Sequence, residues 1–127
     1  MKTINEIIYQ RLIQIVPEIL EPDFTYKKLE AENFMPLSVD LLYREGNSLR
    51  IALAHNYKHP SGDLIPDPDM EVHVDPDHQM ATALSYQDAY GYTTATPEPG
   101  KVNPETMKQL NRFLAQWLQN LLFQGHQ

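Results

Sequence analysis

Residues 37–57 read LSVDLLYREGNSLRIALAHNY, and the fold class follows from how this stretch is divided. Apolar side chains recur at every second position, as Leu37, Val39, Leu41 and Tyr43, and again as Leu49, Ile51, Leu53, His55 and Tyr57. Successive side chains of a strand point to opposite faces, so this spacing predicts two half-buried strands. Between them lies Glu45-Gly46-Asn47-Ser48, with Gly and Asn where a tight hairpin needs residues that tolerate a positive φ. The stretch reads as an antiparallel hairpin.

The neighbouring sequence extends the hairpin into a meander. Residues 58–68 read as a loop, with Pro60, Gly62, Pro66 and Pro68. Met70, Val72 and Val74 point inward from a third strand, with Glu71, His73 and Asp75 on its other face. Asp75-Pro76-Asp77-His78 places Pro at the second position of a type I turn. Met80, Thr82, Leu84 and Tyr86 continue the pattern, and residues 26–32 form a weaker strand whose charges suit a sheet edge. The expected sheet is antiparallel, has about four to five strands and spans residues 24–92.

A helix is expected on each side of it. At the N-terminus Thr3 and Glu6 have capping-box spacing, and Ile4, Ile7, Ile8, Leu12, Ile15, Val16 and Ile19 follow at helical steps. Pro17 should end or kink this helix near Val16, with a further turn reaching residue 20. After a connector over residues 93–102, Asn103 is a good N-cap and Pro104 suits the first helical position. Met107, Leu110, Phe113, Leu114, Trp117, Leu118, Leu121 and Leu122 then make a broad apolar stripe, and Gly125 is placed to end the helix. The reading is one α+β domain, with helices over residues 3–20 and 103–124 flanking the sheet.

Composition narrows the function classes. A chain of 127 residues with 42% apolar and 21% charged side chains can bury a core of its own. There is no cysteine, which removes disulfides, thiolate metal sites and a cysteine nucleophile. The N-terminus has no secretory pattern and no apolar run approaches the roughly 20 residues that span a bilayer, so a cytoplasmic protein is expected. The net charge of −7 is concentrated: residues 59–100 contain no Lys or Arg but eight carboxylates. A surface of that sign repels phosphate, which disfavours nucleic-acid binding and favours a protein partner with a basic surface.

The dense polar stretch is residues 62–75, GDLIPDPDMEVHVD. Carboxylates and an imidazole are hard-cation and transition-metal ligands, so Asp63, Asp67, Asp69, Glu71 and His73 are candidates for a metal-dependent hydrolase. Same-face residues of a straight strand lie roughly 7 Å apart, however, so three of them converge poorly on one ion. His73, between Glu71 and Asp75, is a candidate pH-sensitive group, and His55 reads as a hydrogen-bonded core histidine. The serines sit in no nucleophile elbow, and there is no phosphate-binding glycine loop. Tyr57, Tyr86, Tyr90 and Tyr92 cluster along the acidic region, and aromatic side chains beside acids make a protein-binding patch. The leading expectation is a non-enzymatic binding or regulatory module without a cofactor. Its candidate face comprises Tyr57, Asp63, Asp67, Asp69, Glu71, His73, Asp75, Asp77, Tyr86 and Asp88.

His55-Asn56-Tyr57, Gly62-Asp63-Leu64 and Asp67-Pro68-Asp69-Met70-Glu71-Val72 resemble a bacterial family of unknown function carried on plasmids and integrative conjugative elements. Tyr86-Gln87-Asp88 with Gly91, and Trp117, Asn120-Leu121 and Gln124-Gly125, fit the same pattern. The resemblance covers residues 34–125 and departs at Ser61, where that family carries Asn, and at Asp69, where it carries Glu. It implies an accessory protein of a mobile element and is silent about any reaction.

Overall fold

The computed structural model describes residues 1–58, 61–62 and 64–127, and side chains are described for all of these except 56–58 and 64–67. The chain runs α1 (Ile4–Ile15), a 3₁₀ turn (Pro17–Leu20), β1 (Tyr26–Ala31), β2 (Phe34–Glu45), β3 (Ser48–Lys58), β4 (Leu64–Asp75), β5 (Met80–Asp88), β6 (Gly91–Thr94) and α2 (Pro104–Gln124). The strands form one antiparallel sheet in the order β1-β2-β3-β4-β5-β6. The α+β meander is therefore present with six strands, because β6 occupies part of the expected connector. β4 likewise begins at Leu64, inside the expected loop. Its pairing with β3 shifts register between Ala54 and Asn56, an irregularity of the kind that accommodates prolines such as Pro66 and Pro68.

Capping chemistry sets the helix ends. The Thr3 hydroxyl accepts from the Glu6 backbone N–H while the Glu6 carboxylate reaches back to the Thr3 N–H, completing the capping box. The helix stops before Pro17, whose ring continues the chain as a 3₁₀ turn. At α2 the Asn103 side chain accepts from the Thr106 N–H, and Gly125 ends the helix at φ 84°, a left-handed conformation that glycine adopts without steric cost.

Register divides the sheet into two unlike faces. On one, the rows Leu41–Ile51–Val72–Ala83 and Leu49–Val74–Ala81 lie beneath the helices. These join Ile8, Leu12, Leu114, Leu118 and Leu121 in a single core. Both helices pack on this face, and Arg11 of α1 ties them together by donating to the Ala115 carbonyl at 2.7 Å. Two bulges alter the expected alternation. Leu42 is the extra residue of β2, so Tyr43 pairs with Arg50 and leaves the inward row that Leu37, Val39 and Leu41 keep. Leu84 is the extra residue of β5, so Ala81 and Ala83 face the core where Met80 and Thr82 do not.

The edges of the sheet are satisfied by polar groups. β6 pairs only with residues 85–88, leaving the earlier part of β5 as an edge. There the Asn5 amide donates to the Ala81 carbonyl at 3.0 Å, and buried Asn111 accepts from the Ala83 N–H at 2.8 Å. On β1, Gln127 exchanges two backbone hydrogen bonds with Glu30. His126, buried beside it, donates from Nε2 to the Met35 carbonyl at 2.8 Å.

Candidate functional site

Among the described residues no helix packs on the second sheet face. Two rows cross it from edge to edge, Tyr26–Asp40–Ala52–Glu71–Ser85–Thr94 and Lys28–Ser38–Ala54–Asp69–Gln87–Tyr92. Short side chains, Ser38, Ala52, Ala54 and Ser85, stand beside the longer Asp69 and Glu71 of β4 and leave space between them. The resulting hollow, of about 120 Å³, has Ala52 and Ser85 in its floor. Asp69, Glu71, Gln87, Tyr92 and Leu42 complete its lining.

The acids of the hollow differ in their partners. Glu71 meets Arg50 at 3.0 Å, and the same guanidinium donates to the Tyr43 hydroxyl at 3.2 Å while lying over its ring. Among the described residues no cation pairs with Asp69. Burial raises its carboxyl above the ordinary value, and the nearby charges of Glu71 and Asp40 push it the same way. An unpaired carboxylate held between two others is a place where a cation is welcome.

The remaining candidate residues separate into distinct roles. Asp75 builds the β4–β5 turn. Desolvation works against its charge, but hydrogen bonds from the His78 backbone and from the ring Nδ1 at 2.7 Å outweigh it and lower its carboxyl. Asp88 builds the β5–β6 turn by accepting from the backbone N–H groups of Tyr90 and Gly91 and from the Tyr86 hydroxyl, and these bonds lower its carboxyl. Asp77 meets the Asn47 amide at 3.3 Å across neighbouring hairpin turns. His73 pairs in register with Arg50 and Thr82 on the open face and is exposed. Tyr86 turns the other way, with its ring against Phe113 of α2 at 5.1 Å. Tyr57 and Asp67 lie on β3 and β4 with side chains outside the description, and Asp63 lies outside the described residues. Of the ten candidates, Asp69 and Glu71 thus share the hollow, and His73 lies farther along β4 on the same face.

Among the described residues no three His, Cys, Asp or Glu side chains converge as a metal site, and Glu71 is already committed to Arg50. The sequence reading missed Asp40, Leu42, Ala52, Ser85 and Gln87. Their signal was the outward-facing Ser38, Ala52, Ala54 and Ser85, small side chains at strand positions that usually carry long polar ones.

On the helix side, His55 is hydrogen-bonded within the packed layer, as expected. Its Nδ1 lies 3.0 Å from the Pro36 carbonyl, and its Nε2 accepts from the Trp117 indole N–H at 3.2 Å. Those partners select the neutral tautomer protonated at Nδ1. Burial lowers its pKa, and the His126 ring, 5.8 Å away, adds to the effect against the opposing bond to Pro36.

Among the described residues no helix is long and apolar enough to cross a membrane. Neither a curated protein nor a solved structure matches the chain. A protein-family profile does match, over residues 3–127, so the match takes in the first helix that the sequence resemblance left aside. With nearly its whole length covered, the chain belongs to the family described as a domain of unknown function, DUF6908.

Proposed function

We propose that the protein is a non-enzymatic binding or regulatory module whose open sheet face receives a basic segment of a partner protein. The observation that carries this reading is that both helices cover one sheet face, while the other presents Tyr26, Tyr43 and Tyr92 with Asp40, Asp69 and Glu71. Aromatic side chains supply contact area at low entropic cost, and the carboxylates select a partner of opposite charge. The resemblance to accessory proteins of mobile elements fits a module that acts by occupying another protein. A second copy of the chain suits the face less well, because its acids would meet like charge.

The test is capture from a lysate of the source organism by immobilised protein, with Leu42→Lys and Phe123→Lys compared against the parent. Leu42 lies on the rim of the open face and Phe123 is 88% exposed on α2. Loss of the captured protein with Leu42→Lys alone, together with elution at rising salt, supports the reading. Capture lost with Phe123→Lys and kept with Leu42→Lys moves the binding surface to the helices and overturns it.

A further inference from the structure

The hollow differs from a merely acidic surface in one respect. Ser85 is 2% exposed and lines it, and among the described residues its hydroxyl makes no side-chain hydrogen bond. Its oxygen is not sealed off from solvent, so it opens into the hollow, where a donor can reach it. Its neighbours in the two rows are Glu71, directly paired, and Gln87, two residues along β5 and paired with Asp69. Three acceptors, the Asp69 carboxylate, the Ser85 hydroxyl oxygen and the Gln87 amide oxygen, therefore border one small space, with the Tyr92 ring beside them.

We infer that this hollow is a recognition site for the primary ammonium of a lysine side chain. The inference rests on the reading of the open face as a docking surface and names what anchors the partner there. An ammonium has three donors and no acceptor, which matches three acceptors lining one hollow, and a cation beside a tyrosine ring gains further attraction. At about 120 Å³ the space is well below the 300–1,000 Å³ typical of cofactor and drug-like sites, so it admits the end of one side chain. A guanidinium is planar and wider and seeks two parallel carboxylate bonds, whereas Glu71, the second carboxylate, is held by Arg50.

The probe is N-acetyl-lysine N-methylamide, titrated into isotope-labelled protein with backbone amide shifts as readout, beside its norleucine and arginine counterparts. Saturable shifts confined to Ala52, Glu71, Ser85, Gln87 and Tyr92 are expected for lysine, with at least about tenfold weaker binding of norleucine and weaker binding of arginine. Asp69→Asn should weaken lysine binding about tenfold and Ser85→Ala a few-fold, while shifts elsewhere report an intact fold. Ala52→Lys, which supplies an ammonium from the floor, should abolish the titration if either variant folds poorly. The inference is overturned by norleucine or arginine binding as tightly as lysine. It is also overturned by no saturable shift up to roughly 50 mM, well above the millimolar affinity of a single charge-assisted contact. Failure here with capture still lost in Leu42→Lys leaves the docking face standing, and failure of both removes it.

Discussion

Acidification should loosen the protein through His55, by an amount set by two hydrogen bonds. At neutral pH the ring donates to the Pro36 carbonyl and accepts from Trp117. A second proton leaves the first bond in place but sets two N–H groups against each other across 3.2 Å. The loss is one neutral hydrogen bond, about 1 kcal/mol, and a similar amount for the indole N–H left without an acceptor. The sign follows from linkage. The folded pKa lies below the ordinary imidazole value, so the unfolded chain takes up the proton first as pH falls. Stability from this group is complete well above pH 6.5, declines through that value and stops declining below the folded pKa. One proton allows at most about 1.4 kcal/mol per pH unit, and the half-buried ring is partly screened by solvent, so roughly 1 kcal/mol in all is expected. For a chain of 127 residues that is about 3–5 °C in Tm. The assay is thermal unfolding at pH 7.5, 6.5 and 5.5 for the parent and His55→Gln, whose difference cancels the other histidines. An unchanged pH slope in His55→Gln would refute the tautomer assignment and the role of the Trp117 bond.

Four further outcomes follow from contacts elsewhere in the molecule. Asn111→Leu should cost about 1–3 kcal/mol in urea unfolding despite adding apolar surface, because the Ala83 N–H loses its only acceptor among the described residues. Asp69→Asn should raise Tm at pH 7, since its raised carboxyl destabilises the folded state once ionised, and the gain should vanish as pH falls below the ordinary carboxylate range. Asp88→Ala should instead lower Tm at pH 7, because its lowered carboxyl stabilises the fold above that range. Added Mn²⁺ or Zn²⁺ should leave Tm in place. An ion bound at a hundred times its dissociation constant adds about 2.7 kcal/mol, so an upward shift abolished by Asp69→Asn would revive the hydrolase reading.

The helices, the hairpins and the inward faces of β3 and β4 were legible because each follows from a local rule: a capping box, a glycine turn, a period of two. The bulges at Leu42 and Leu84 were not, since an extra residue shows only against the partner strand. Misplaced with them were Tyr43, read as inward, and the β5 run through Met80 and Thr82. β6 was lost because Gly91-Tyr92-Thr93-Thr94 is too short for periodicity to register. The acidic stretch was visible as composition and Asp75 as the start of a turn, but the different surroundings of Asp69, Glu71 and Asp88 were not. Asp75 and Asp88 spend their lone pairs on turns, whereas Asp69 is left facing the hollow. That difference depends on Arg50, supplied by another strand to neutralise Glu71 alone.

The order of strands in the sheet also has a kinetic consequence. Every pairing joins sequence neighbours, so each closes a short loop, whose entropic cost is small. The contact between Arg11 and Ala115, by contrast, spans 104 positions. A chain searching for its native contacts meets the hairpins early and the helix seam late, because distant segments are brought together cheaply only once the sheet has shortened the path between them. The seam is then expected to form after the rate-limiting barrier, so that loosening it should speed unfolding more than it slows folding. On that order α1 and α2 close over the sheet last.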